Sequence, residues 1–116
     1  MKIKLVKEMD SLMWDFYKTV TIYVNGNVAG YIAIEKGLKG EGYIEYVEIF
    51  DKYKGKGYYN MLLISCFTMF GIIDLHSGNR NKNSNPIYQY WTQNKDLGNK
   101  DDVRISMNKG KLSFNN

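Results

Sequence analysis

The chain has 116 residues, room for one domain (1–116) with a single core. Sixteen Lys and Arg against twelve Asp and Glu leave a formal net charge of +4, which favours anionic ligands without singling out nucleic acid. A single cysteine, Cys66, excludes an internal disulfide. No apolar run approaches the roughly 20 residues that cross a bilayer, and the opening MKIKLVKEMD turns charged too early for a secretory leader, so a cytoplasmic protein with no membrane partner is expected.

In chain order, residues 2–7 alternate charge with Ile3, Leu5 and less strictly Val6, which suits a strand. Residues 10–17 fit a short helix capped by Asp10 or Ser11, although their pattern is ambiguous. Residues 19–24 and 28–34 are β-rich runs around Asn25-Gly26-Asn27, and Asn-Gly tolerates the positive φ that a tight hairpin turn needs. After the turn-prone stretch 36–42, residues 43–50 form a longer strand dense in β-branched and aromatic side chains. Residues 58–70 read as about three turns of apolar helix, too long and unbroken for a strand, with Gly71 as C-cap and Cys66 buried. Residues 72–75 suggest a short strand and 76–85 an exposed polar loop. Pro86 suits the first turn of a further helix over 86–93, where its missing N–H costs nothing. Residues 103–107 and 111–114 around Asn108-Lys109-Gly110 read as a terminal hairpin. The order predicts an α/β fold: a mixed, mostly antiparallel central sheet with a β-α-β crossover and flanking helices. Ligands of such sheets favour the carboxyl ends of the parallel strands.

The segment most informative about chemistry is residues 43–63, a strand, a glycine-bearing loop and a helix. Lys54-Gly55-Lys56-Gly57-Tyr58-Tyr59 would leave successive backbone N–H groups at a helix start, where the dipole adds partial positive charge and the lysines add whole charges. A phosphate is the expected guest.

This element order, together with I-F-D-K-Y-K-G-K-G-Y-Y, resembles the GNAT family, the acetyl-coenzyme A-dependent N-acetyltransferases. In the family pattern V-x-P-x-Y-R-G-K-G-x-G, Ile49 stands at the valine, Tyr53 at the tyrosine and Lys54 at the arginine, and Gly55, Lys56 and Gly57 follow in register. A later family pattern, N-x-x-A-x-x-L-Y, is similar to residues 83–90, with Asn83 and Tyr90 keeping the spacing and Pro86 at the alanine. The resemblance spans roughly residues 19–94 and implies a shortened acceptor-binding side, because the region before Thr19 is too short for the family's usual two amino-terminal helices. One departure bears on the cofactor: Tyr59 stands where the family prefers Gly or Ala, so its ring must turn outward or fill space the cofactor would use.

The resemblance implies a site. Backbone amides of Lys54, Gly55, Lys56, Gly57, Tyr58, Tyr59 and Asn60 would hold the pyrophosphate of acetyl-coenzyme A, the strand edge at Val47 to Ile49 would pair with its pantetheine arm, and Asn83 would hydrogen-bond that arm. Transfer to an amine needs a neutral acceptor and a proton for the departing thiolate. Glu48 is the expected base, nearest the splayed end of its strand. Glu45 falls on the other face unless a bulge intervenes, as one does in this strand of the family. Tyr90 is the expected acid, since a phenol can donate and stay neutral near pH 7. His76, the sole histidine, could face an acceptor pocket; with no second ligand at suitable spacing, no metal site is expected. The function implied is acetyl transfer to a primary amine, a protein amine included. The alternative is an inactive GNAT-like protein of viral or mobile-element origin that works by binding another protein through its many aromatics. Nucleic acid binding through Lys52, Lys54, Lys56, Arg80 and Lys82 ranks last, because interspersed Asp and Glu dilute the patch.

Overall fold

The computed structural model describes residues 1–8, 17–77 and 103–115. Among these residues seven strands form one sheet in the same order as the chain: β1 (Ile3–Glu8), β2 (Tyr17–Val24), β3 (Asn27–Lys36), β4 (Gly42–Ile49), β5 (Leu75–Ser77), β6 (Val103–Asn108) and β7 (Lys111–Asn115). One α-helix among the described residues, α1 (Tyr58–Phe70), connects β4 to β5. All neighbouring strands pair antiparallel except β4 and β5, which run parallel, as a β-α-β connection requires. The mixed, mostly antiparallel sheet expected from the sequence is therefore present. No helix among the described residues is long and apolar enough to cross a membrane.

Turn chemistry sets the two tightest hairpins, β2–β3 and β6–β7. Asn25 and Gly26 take φ of 51° and 84°, so two residues suffice to connect β2 to β3, with Val24 opposite Asn27. Lys109 and Gly110 repeat this with φ of 54° and 79° between β6 and β7. Period-two alternation then sorts the side chains. Val20, Ile32 and Val47 lie opposite one another across β2, β3 and β4, and each is at most 1% exposed. Ile22, Gly30 and Ile49 form the next row.

Helix α1 covers this face. Leu62, Leu63 and Cys66 are buried with the sheet residues in one core cluster. Burial of a Leu or Ile contributes about 1.5–3 kcal/mol, so this interface outweighs any exposed ion pair on the molecule. At the helix end Gly71 takes φ 64° and donates its N–H to the Phe67 carbonyl at 3.2 Å. Lys36 Nζ donates to the Phe70 carbonyl at 3.0 Å, and the ammonium groups of Lys7 and Lys18 stand 5.3 and 5.8 Å from the Phe70 ring. Cations there suit the negative end of the helix dipole.

Several boundaries differ from the sequence reading. The short strand is Leu75–Ser77 rather than residues 72–75. Ile72 is buried and Ile73 exposed in the turn that follows Gly71, and the Ile73 N–H donates to the Gly40 carbonyl at 2.9 Å, tying that turn to the β3–β4 loop. His76 and Ser77 accordingly belong to a strand and not to the loop expected over 76–85. Tyr17 opens β2 instead of closing a helix. The remainder of that expected helix and the one over 86–93 lie outside the described residues.

Gly30 shows how tightly β3 and β4 are matched. A Cβ there would overlap the Glu48 carbonyl oxygen and stand 2.7 Å from Ile49 Cδ1. Gly30→Ala is expected to destabilise the fold by about 2–3 kcal/mol, read as a lower urea midpoint, and an unchanged midpoint would contradict this packing.

A candidate anion-binding loop at the end of β4

Beyond Ile49 the chain leaves the sheet with Phe50, whose N–H still donates to the Ala29 carbonyl at 2.9 Å. Asp51–Tyr53 make one 3₁₀ turn, closed by Tyr53 N–H to the Phe50 carbonyl at 2.8 Å. Gly55 and Gly57 then take φ of 76° and 83°, a region that side chains disfavour. A Cβ added at either would meet nothing within 4 Å, so glycine is required by backbone conformation, and the space beyond it is open. Gly57 is the N-cap of α1, without any side-chain cap, and the first turn carries no acidic residue. The first helical bond runs from Met61 N–H to the Gly57 carbonyl at 3.2 Å, so the amides ahead of it lie at the positive end of the dipole.

Lys54 differs from its expected role on two counts. Its N–H donates to the Asp51 carbonyl at 3.3 Å, and its ammonium group bonds Asp51 Oδ1 at 2.8 Å. That hydrogen bond and the lysine's charge hold the Asp51 carboxyl below the usual carboxylate range. The Lys54 N–H and ammonium group are therefore both engaged within the turn, and the next lysine of the loop is Lys56. Beside it opens a cavity of about 210 Å³, lined by Asn25, Asn27, Lys52, Tyr53, Lys56 and Tyr58 together with Met1 and Val24. This volume lies below the range of about 300–1,000 Å³ typical of small-molecule pockets.

Val47, Ile49 and Tyr58 are core residues, exposed by 1–2%, so only their main chain can meet a ligand. For Val47 and Ile49 that main chain lies on an edge unpaired among the described residues. Among the described residues β5 pairs with β4 only at Gly42–Leu75 and Tyr43–His76, leaving Ile44 to Ile49 without a ladder partner on that side. The bulge left open by the sequence is present: Ile44 faces Ile34 and Tyr46 faces Ala33, so Glu45 is the extra residue, and it is exposed. Glu48 lies on the face opposite Val47 and Ile49. The Tyr31 hydroxyl donates to Glu48 Oε2 at 2.7 Å, fixing the carboxylate and occupying one of its oxygens. The Tyr31 ring in turn stands edge-on to Phe50, with centroids 6.2 Å apart.

Of the two orientations open to Tyr59, the ring takes the inward one. It is half-buried against the core cluster, and burial, with the nearby Glu48 charge adding to it, raises its phenol to about 12. His76 stacks on Tyr43 with centroids 5.3 Å apart, and its Nε2 lies 3.2 Å from Asp74 Oδ1, while Arg104 Nε stands 3.9 Å from Asp74 Oδ2. Asn83, Tyr90, Arg80 and Lys82 lie outside the described residues. No three His, Cys, Asp or Glu side chains gather as metal ligands among the described residues. Sequence reasoning missed Asp51, Tyr31 and Asp74. The three-residue spacing of Asp51 and Lys54 was a usable signal for the first; a cross-strand tyrosine opposite Glu48 becomes visible only once register is known.

No family model and no curated protein sequence matches the chain. Solved structures do. The ribosomal-protein-S18-alanine N-acetyltransferase of Escherichia coli superposes with a TM-score of 0.57 at 15% identity, over 80% of this chain and 77% of that one. A Bacillus subtilis acetyltransferase in complex with CoA gives 0.56 at 16% identity, over 91% and 78%. Nourseothricin acetyltransferase gives 0.52 at 18% identity over 67% of this chain, which spans about half (48%) of that protein's length. The architecture is that of the GNAT acetyltransferases.

Burial also raises the Cys66 thiol to about 12, against a small lowering by Ser65. Cys66 and Tyr59 both hold their protons more tightly folded than unfolded, so their ionisation favours the unfolded chain. Their contribution to stability is complete below about pH 9 and is lost as pH rises towards about 12. Chemical denaturation across this range is expected to show that fall, with Tyr59→Phe flattening the part above about pH 10; parallel curves for the two proteins would contradict it.

Proposed function

On that architecture, we propose that the protein is a small acetyltransferase that binds acetyl-coenzyme A at the loop after β4 and transfers the acetyl group to a primary amine, a protein amine included. The observation that carries this reading is one juxtaposition: an uncapped helix start with two left-handed glycines and Lys56 stands where β4 presents an edge unpaired among the described residues. A phosphate can approach the bare backbone at Gly55 and Gly57, where no side chain intrudes. The edge at Val47 to Ile49 offers main-chain groups to an amide-bearing arm.

Acetyl-coenzyme A would supply an activated thioester. As the acceptor nitrogen forms its bond to the acetyl carbon and the carbon–sulfur bond breaks, the amine must give up a proton and the sulfur must gain one. Glu48, oriented by Tyr31, is assigned the first proton, taken directly or through a water. Tyr90 is assigned the second and Asn83 a bond to the cofactor's arm, both on the family-like spacing of residues 83–90.

Tyr59 favours a second reading. Its ring lies inward beside the loop, in the region a small residue would leave open, which suits a fold that binds another protein without turnover. Titration calorimetry separates the two. Acetyl-coenzyme A is expected to bind the native protein, Gly57→Val to weaken binding at least tenfold, and Tyr59→Gly to tighten it. Glu48→Gln is expected to lower kcat about 100-fold with little change in cofactor affinity. No heat at millimolar acetyl-coenzyme A, in native protein and Tyr59→Gly alike, would remove the enzyme reading.

A further inference from the structure

The first strand carries a feature that acetyl transfer does not use. Period two places Lys4 and Val6 on one face of β1, with Lys2 just ahead of the strand, and register sets Lys4 opposite Tyr23 of β2. Together with Gly26 of the hairpin turn these residues line a recess of about 460 Å³, within the range of about 300–1,000 Å³ typical of small-molecule sites. None of them belongs to the loop after β4.

Lysines often guard an edge strand, and Lys7 of β1 has a structural role of that kind, lying over Phe70 on the other face. Lys2 and Lys4 differ from it. Both are exposed at the recess, and among the described residues no carboxylate lies within ion-pair distance of either ammonium group. The Lys2 backbone is held by its N–H bond to Asn25 Oδ1 at 2.9 Å and by its carbonyl, which accepts from the Asn25 N–H at 2.8 Å. This end of the strand is therefore fixed to the hairpin turn. Val6 and Tyr23, both partly buried, supply an apolar wall between the charged groups and the sheet.

We propose that this recess binds a small anion carried on a flat apolar body, an aromatic phosphate or carboxylate, with Lys2 and Lys4 on the charge and Tyr23 and Val6 against the ring. Two ammonium groups without carboxylate partners among the described residues set the charge of the ligand. The aromatic and branched wall sets its shape.

Amide-resolved NMR titration of the whole chain tests this with phenyl phosphate and benzoate, and with inorganic phosphate and phenol as the separate halves. Phenyl phosphate or benzoate is expected to shift amides at residues 2–6 and 23–26 and to bind about tenfold more tightly than either half; the tighter of the two identifies the head group. The double variant Lys2→Gln/Lys4→Gln, at two exposed positions, is expected to lose about tenfold towards the anion and nothing towards phenol, with an otherwise unchanged spectrum. Saturating acetyl-coenzyme A is expected to leave this binding intact, so the result does not depend on the enzyme reading. Displacement by acetyl-coenzyme A, shifts confined to residues 54–60, equal affinity for phenol, or no loss in the double variant would overturn the proposal.

Discussion

The packing of α1 across β2 and β3 is the constraint on which everything else depends. Leu62, Leu63 and Cys66 hold the helix against Val20, Ile22 and Ile32, and a helix held there must begin beside the end of β4. Its uncapped start is thereby aimed at a fixed place. The charged contacts near the loop are exposed by comparison: Asp51, which bonds Lys54, is 96% exposed, and such a pair adds local order but little stability. Apolar burial sets the position, and the polar loop inherits it.

The same constraint explains why the loop can be open. Glycine at positions 55 and 57 lets the backbone turn through the left-handed region without a side chain standing over it. The helix then starts at Tyr58, whose ring is part of the core and anchors the first turn from beneath. Tyr59, one residue on, enters the core only halfway. Adjacent tyrosines therefore divide the work: one fastens the helix start, and the other partly fills the ground beside it.

Much of this was legible from residue order. Thirteen residues of almost unbroken apolar character ending at Gly71 define α1 to the residue, and Asn-Gly and Lys-Gly mark both hairpin turns, because these signals are local. Ile72 and Ile73 looked like the start of β5, but the chain needs those positions to turn out of the left-handed Gly71 before Leu75 can pair with Gly42. The bulge at Glu45, the Tyr31 bond to Glu48 and the inward Tyr59 depend on register and on neighbours distant in the chain, to which local pattern is blind. The alternation over residues 2–7 was visible as a strand, while the hollow beside it needed the partner strand to exist.

The short parallel pairing of β4 with β5 has a kinetic consequence. Strands β1 to β4 form a meander in which neighbours in the sheet are also neighbours in sequence, and α1 follows it after the loop of residues 50–57. Strands β5 to β7 join that body through two ladder positions, assisted by Leu75 and Ile105 entering the common core. Chain entropy must be surrendered across the whole helical connection before those two positions reward it. Local pairing thus favours early assembly of the amino-terminal body and later docking of the carboxyl-terminal arm, whose two-position attachment leaves the rest of the β4 edge unpaired among the described residues.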